Sequence, residues 1–429
     1  MTTVCFDGYN LALPSGTGIA TYGRSLIAAA RGMGVSPQLL HGPHMRPSND
    51  PFLGQLALAD ASRIMRPPRT VRHLEVAAAW AGRSAHYVEA TDEIFWPTEN
   101  GQPEVDAFWI APDLFRIAVK AHAKYGAITP LSFSSPLSAP DIMHWSMPMP
   151  LRARVVPNIY TFHDLIPLRL PHTTSEDKRR YLQMCRDLAQ LADHVITVSE
   201  TTRNDVIRLL GISPDRVTNT FQAVRPVDVS GRPDEAVAET IRNAFGLKWK
   251  DYFIHFGAVE PKKNLGRVVE GYVRSGVCSP LVVVEGRSWL EQPEVALLEA
   301  LEAYPEAGIA SRIHRLRYLP QALLQDLIRG ARATVFPSLY EGFGLPILES
   351  MGLGTAVLTS NIGAAAEVAG DAALLVDPYQ ADEIGGGMRR LEQDHAFRLH
   401  LENLGRLQAG KFGMDLYRER LNAVYSAVA

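Results

Sequence analysis

Two glutamates, Glu341 and Glu349, close the segment Pro337–Glu349, PSLYEGFGLPILE, with eight positions between their numbers. On one continuous helix that spacing is an angular offset of about 80°, at ~100° per residue, so the two carboxylates would not share a face. Gly342 and Gly344 instead ask for a tight loop, and Pro346 suits a first helical turn. Glu341 is therefore expected on a loop and Glu349 inside the helix that follows, an arrangement that lets both line one pocket. The start of such a helix offers unpaired backbone N–H groups and a positive dipole end, which suits a phosphate or diphosphate. Taken alone, the segment also reads as a surface loop with two solvated acids.

Three further clusters carry chemistry. After the apolar run Tyr252–Phe256 come Gly257, Glu260, Pro261, Lys262, Lys263 and Asn264, just before a helical pattern. Gly257 lets backbone approach a ligand, and two lysines at a strand-to-helix corner could neutralise phosphate charge; a solvated turn is the plainer reading. Ser15–Tyr22, SGTGIATY, partly imitates a dinucleotide fingerprint, but Thr21 replaces its last glycine and no acid stands about twenty residues on, which argues against nicotinamide binding. Gly16 and Gly18 are expected in a loop that touches a phosphate or merely packs closely. Tyr160–Pro167, YTFHDLIP, ends an apolar run in His163 and Asp164, either a polar-ligand contact or a locally satisfied pair.

The elements that must position these residues follow from patterning. Across 429 residues, 46% hydrophobic and 21% charged, short apolar runs alternate with longer helical patterns, which favours parallel α/β layers and leaves room for two large domains. Strands are expected at Val4–Asp7, His194–Ser199, Tyr252–Phe256, Leu281–Glu285, Ile313–Tyr318 and Thr334–Phe336. Helices are expected at Leu265–Ser275, near Glu294–Ala303 and near Gln321–Ala331. Arg225–Glu239 has a linker's composition, and the segment from Gly410 onward reads as a packed helix with Leu416, Leu421 and Val424 on its face. The division is thus 1–240, 241–409 and a terminal 410–429 helix packing back on the first domain. Tandem α/β domains hold ligands in the cleft where strand carboxyl ends face each other.

A net charge of −3 gives no electrostatic reason to expect nucleic acid. Three scattered cysteines, Cys5, Cys185 and Cys278, suggest neither a disulfide framework nor a zinc cluster. Neither a leader-like N-terminus nor a long uncharged apolar stretch is visible, so the expected location is cytoplasmic. Arg63, Arg66, Arg69 and Arg72 recur every third residue with no acid between Ala61 and Leu74. They read as a solvated loop, or more sharply as a patch meeting anionic lipid or a lipid-linked pyrophosphate acceptor on the membrane's cytoplasmic face.

In order along the chain, GTGIATYGRSL, FHDLIPLRLP, ITVSETTRNDVIRLLGI, HFGAVEPKKN, PSLYEGFGLPILESMGLGTAVLTSN and EVAGDAALLVDP resemble the retaining nucleotide-sugar glycosyltransferases of GT-B fold. The resemblance implies two Rossmann-like doubly wound domains facing an interdomain cleft. It implies that Glu349 binds the donor ribose, Glu341 faces the donor sugar, and the backbone of Gly342, Phe343, Gly344 and Leu345 wraps sugar and diphosphate. Lys263 matches the family lysine on the diphosphate, and Lys262 stands where arginine is common. Ala258 replaces a phosphate-binding arginine found in other members just after Gly257. Gly16, Thr17 and Gly18 match the N-terminal glycine loop, and His163 matches a histidine near the reacting sugar. Donor-binding residues, counting Gly257, and the catalytic set Glu341, Lys263 and His163 follow.

The absence of any Asp-x-Asp fits a metal-independent transferase needing no cofactor, its nucleotide sugar being a substrate. Overall similarity to polysaccharide mannosyltransferases points to mannose from GDP-mannose and to a glycan or lipid-linked oligosaccharide acceptor. UDP-linked sugars are the close alternative. A glycoside hydrolase using Glu341 and Glu349 as acid and base, or a non-catalytic sugar or nucleotide binder, are the competitors from other classes.

Overall fold

Short runs rich in Val, Ile, Leu and Phe become strands covered on both faces, the arrangement parallel sheets require. The structure, a computed structural model, describes residues 2–11, 18–43, 50–59, 69–91, 104–135, 138–224, 231–286, 296–300, 308, 310–317 and 319–429. Strands β1 (Thr3–Asp7), β2 (Ser36–His41), β3 (Arg83–Glu89), β4 (Ala107–Ile110), β5 (Thr129–Phe133), β6 (Ile142–Trp145), β7 (Leu151–Ala153), β8 (Asn158–Phe162), β9 (His194–Thr197) and β10 (Val217–Asn219) form one sheet. Its order is β10-β9-β8-β6-β1-β2-β4-β3-β5-β7. Only β3 against β4 is antiparallel among the described pairs of this sheet.

Strands β11 (Phe253–Gly257), β12 (Leu281–Glu285), β13 (Ile313–Leu316), β14 (Ala333–Phe336), β15 (Ala356–Ser360) and β16 (Leu374–Val376) form a second, wholly parallel sheet ordered β13-β12-β11-β14-β15-β16. Parallel pairing gathers carboxyl ends on one edge. In the first lobe that edge carries Asp7, Trp145, Phe162 and Thr197; in the second, Gly257, Glu285, Phe336 and Ser360.

Each lobe has its own core, and one further cluster crosses between them, joining Phe6 and Ile196 of the first lobe to Phe343, Ile347, Leu348 and Val368 of the second. The helix Leu265–Ser275 has the bounds its spacing predicts, with Leu265, Val268, Val269 and Tyr272 buried. The strand read at Tyr252–Phe256 lies one residue later, its parallel pairing with Leu281 and Ala333 beginning at Phe253. The helix expected near Glu294–Ala303 falls largely outside the described residues; residues 296–300 are helical.

Two expectations change. Part of the linker-like stretch Arg225–Glu239 belongs to the helix Asp234–Phe245, whose Val237 and Ile241 are buried in the second lobe's core, so that lobe's packing begins before residue 240. In the last helix, Met414–Val428, Leu416 is 41% exposed, and the buried stripe is Tyr417, Leu421, Val424 and Tyr425. Spacing explains it: 417, 421 and 424 follow helical periodicity, whereas 416 and 421 do not.

This last helix packs against the helix Gly18–Gly32 of the first lobe. It also contributes a buried polar bond, Tyr425 OH to His144 Nδ1 at 2.7 Å, while His144 Nε2 meets Thr161 Oγ1 at 2.8 Å. Burial, with His163 nearby, pushes His144 down to about 3, so its ring is neutral at physiological pH. Tyr425→Phe should strand one ring nitrogen and lower stability by about 1–3 kcal/mol, read as a lower urea midpoint at unchanged slope. An unaltered midpoint would show that this bond contributes nothing.

Candidate active site

The Pro261–Lys263 turn comes three residues after β11, and Asn264 ends it in a left-handed conformation, φ 64°. From there the Asn264 amide donates to Pro337 O at 2.9 Å and Pro378 O at 2.7 Å, and Leu339 N donates to Lys262 O at 2.8 Å. The lysine corner and the glutamate loop are thereby one rigid piece. It brings Lys263 Nζ to 2.6 Å from Glu341 Oε1 and 4.6 Å from the centre of the Phe336 ring.

Glu341 is 9% exposed. Burial alone would raise its carboxyl, but the Lys263 and Lys262 ammoniums, with hydrogen bonds from Lys263 and Ser338, outweigh that and hold it below the usual value. It is a carboxylate at neutral pH. Lys262 pairs with Glu260 at 3.1 Å. Burial works against its charge, yet Glu341, Asp164 and Glu260 together raise its pKa. Asp164 belongs to the opposite lobe, so this charge cluster spans the cleft.

Glu349 sits within the helix Leu345–Gly352, which starts after Gly344 at φ 116° with Pro346 in its first turn. Burial pushes its carboxyl up to about 7 against the pull of Lys263. A folded-state pKa above the unfolded value means the native state holds the extra proton between the two. Stability from this group is therefore full below the unfolded pKa and lost as pH rises through about 7. Glu349→Gln should flatten the fall in melting temperature between about pH 5 and 8. A wild-type slope retained in the variant would place the titration elsewhere.

The two lobes meet at this loop. A β-carbon on Gly342 would press into the His163 carbonyl oxygen, and Thr202 Oγ1 donates to His163 O at 3.0 Å and approaches Gly342 O at 3.3 Å. His163 Nε2 lies 2.8 Å from Ser146 O; a carbonyl only accepts, so Nε2 carries the proton and Nδ1 is an acceptor. Burial lowers the ring's pKa, the Ser146 bond and Asp164 resisting. The ring is held edge-on to Tyr22 at 4.7 Å. Gly18 opens the helix Gly18–Gly32, where a β-carbon would stand 4.0 Å from Leu345 Cδ1. Gly16 and Thr17 lie outside the described residues, as do Arg63 and Arg66; Arg69 and Arg72 fall in the helix Arg69–Ala77.

Glu341, Glu349, Lys262, Lys263, Gly342 and His163 are thus drawn together at facing strand ends. The Phe343 ring packs against those of Phe221 and Phe412, centres 6.4 and 5.6 Å away, within the core shared by the two lobes. Two contributors escaped the sequence reading. Arg315 grips Glu285 with two bonds, 2.7 and 3.1 Å, and Glu285 is registered opposite Gly257. Glu367 of the second lobe caps a first-lobe helix, accepting from Glu200 N at 2.7 Å and Thr201 N at 3.0 Å. Only the terminal Glu of LVVVE hinted at the former. Among the described residues no three His, Cys, Asp or Glu side chains form a metal-binding group, and no helix is long and apolar enough to cross a membrane.

Residues 237–408 match the family model described as glycosyl transferases group 1, and residues 93–219 match glycosyltransferase family 4. The chain is 31% identical over 262 residues to the O-antigen chain mannosyltransferase B of Escherichia coli, covering 60% of this chain and 67% of that protein. It is 29% identical over 270 residues to the serotype-specific mannosyltransferase WbdA of Escherichia coli, covering 58% of this chain but 31% of that protein. The fold is shared with a sucrose-phosphate synthase from Thermosynechococcus elongatus: TM-score 0.66 at 16% identity, covering 100% of this chain and 99% of that one. These similarities and the two α/β lobes, each built on a mostly or wholly parallel sheet, define the GT-B arrangement.

Proposed function

Because this chain belongs to the glycosyl transferases group 1 family, we propose that it moves mannose from GDP-mannose to a glycan or lipid-linked oligosaccharide acceptor during polysaccharide synthesis. The observation that carries the reading is the buried 2.6 Å pair of Lys263 and Glu341 beside the start of the Leu345–Gly352 helix. The mannosyltransferase names of the curated relatives support the choice of sugar.

In this reading the donor diphosphate lies across the Lys262–Lys263 turn and the N–H groups at the helix start. Fixed positive charge there stabilises the diphosphate as it departs, without a metal ion. The Glu349 carboxylate accepts the ribose hydroxyls, and ionised Glu341, held by Lys263, faces the donor sugar. The acceptor attacks from the side the diphosphate leaves, through an oxocarbenium-like transition state. A donor phosphate oxygen takes the acceptor proton, and anomeric configuration is retained. Ribose binding by a carboxylate whose free pKa is about 7 makes nucleotide affinity rise with pH through that value.

The test is a transfer assay with purified protein, labelled GDP-mannose or UDP-hexoses, and mannose-terminated or lipid-linked acceptors, with and without chelator. Mannosyl transfer insensitive to chelator, with retained configuration by NMR, is expected. Turnover with UDP-sugars alone, an inverted product, loss on chelation, or glycan hydrolysis without donor would each contradict the proposal.

A further inference from the structure

A cavity of about 420 Å³ opens in the second lobe between the helices Asp234–Phe245, His395–Gly410 and the end of Leu345–Gly352. It lies beyond the C-terminal end of the helix whose interior carries Glu349. The volume is within the ~300–1,000 Å³ range of pockets that hold small organic molecules. Four cations line it, Lys250, Arg329, Arg398 and Arg406, against two carboxylates, Asp234 and Glu402.

Arg329 and Asp234 pair with each other at 2.6 Å. That leaves Lys250 and Arg398 beside Glu402, at 3.4 and 3.8 Å, and Arg406 exposed at the cavity's rim; Lys250 Nζ also donates to Gly354 O at 3.1 Å. The second distance is too long for a hydrogen bond, so Arg398 Nε and Glu402 Oε1 are both buried without a hydrogen-bond partner among the described residues. Arg398 is only 7% exposed, and a guanidinium so placed normally has its donors filled. Arg406 contacts Asn403 Oδ1 at 3.3 Å, and its guanidinium lies over Gly354.

Lys250 adds an independent sign. Its backbone is held at φ 54°, in the left-handed region, by Lys250 N donating to Gly330 O at 2.7 Å and Arg332 Nε donating to Lys250 O at 3.0 Å. Such strain in a residue other than glycine is concentrated at functional positions. The side chain passes over the Trp249 ring, 5.6 Å from its centre, giving the cavity a flat aromatic wall beside its positive end. Burial, reinforced by repulsion from Arg398 and Arg406, depresses the Lys250 ammonium despite Glu402.

From the excess of lining cations over carboxylates, the unfilled donor of buried Arg398 and the aromatic wall, we propose that this cavity is a second binding site, separate from the cleft, for a phosphate-bearing small molecule. Its phosphate sits among Lys250, Arg398 and Arg406, and the rest lies along Trp249.

The experiment is calorimetric titration of the full chain with inorganic phosphate and, separately, with a hexose 6-phosphate, followed in parallel by tryptophan fluorescence. Saturable binding is expected in the wild type and equally in Lys263→Ala. Arg406→Ala, a change at an exposed position that leaves folding intact, should weaken it about tenfold or more, since a charge-assisted bond is lost. The fluorescence change should vanish in Trp249→Phe. Binding of the hexose phosphate alone identifies a phosphosugar, and comparable binding of both identifies the phosphate group as the determinant; either supports the site. No saturable heat from either probe up to millimolar concentration, affinity unchanged by Arg406→Ala, or binding lost with Lys263→Ala would overturn it.

Discussion

Lys263→Ala is expected to lower kcat/KM by roughly a hundredfold or more, the scale on which removal of a preorganised charge stabiliser is felt. The same change strands Glu341, which is 9% exposed and has Lys263 as its 2.6 Å partner. Breaking a buried pair from one side costs about 3–5 kcal/mol, a figure that the neighbouring Lys262 ammonium reduces here. The two effects separate in the double variant Lys263→Ala/Glu341→Gln, which removes the stranded charge. Its melting temperature should recover toward wild type while its activity stays low. Near-wild-type turnover in Lys263→Ala would show that the ammonium does not stabilise the leaving diphosphate.

Gly342→Ala should have an effect of similar size by another route. The added methyl meets backbone, the His163 carbonyl, as well as Asp164 Cβ at 3.3 Å, so a side-chain rotation cannot relieve it. The lobes must part, and the Thr202 bridge to His163 O and Gly342 O is lost. Displacing catalytic groups by even an ångström can cost about a hundredfold, and kcat/KM should fall on that scale. Each lobe keeps its own core, so the variant should still melt cooperatively while small-angle scattering reports a larger radius of gyration. Wild-type activity with unchanged scattering would mean that the close approach of Gly342 to His163 has no part in catalysis.

Local features were legible because their determinants are local. The helix Leu265–Ser275 follows from apolar spacing, and the loop-then-helix placement of Glu341 and Glu349 follows from Gly342, Gly344 and Pro346. Features that failed depend on distant partners. Glu367 caps a helix 167 residues earlier in sequence, and no periodicity encodes that. The exposure of Leu416 is decided by which face of the last helix meets Tyr22 and His144, through Tyr417 and Tyr425. Adjacent Lys262 and Lys263 look alike in sequence, yet the turn gives them different carboxylates, Glu260 and Glu341.

A crystal structure of the protein with bound GDP would show whether the Lys263 corner and the glutamate loop hold the donor. The diphosphate oxygens should lie within about 3 Å of Lys263 Nζ and of the backbone N–H groups at the start of the Leu345–Gly352 helix, with the ribose hydroxyls on Glu349. GDP seated away from the facing strand ends, with Lys263 still paired only to Glu341 and Glu349 untouched, would contradict that placement.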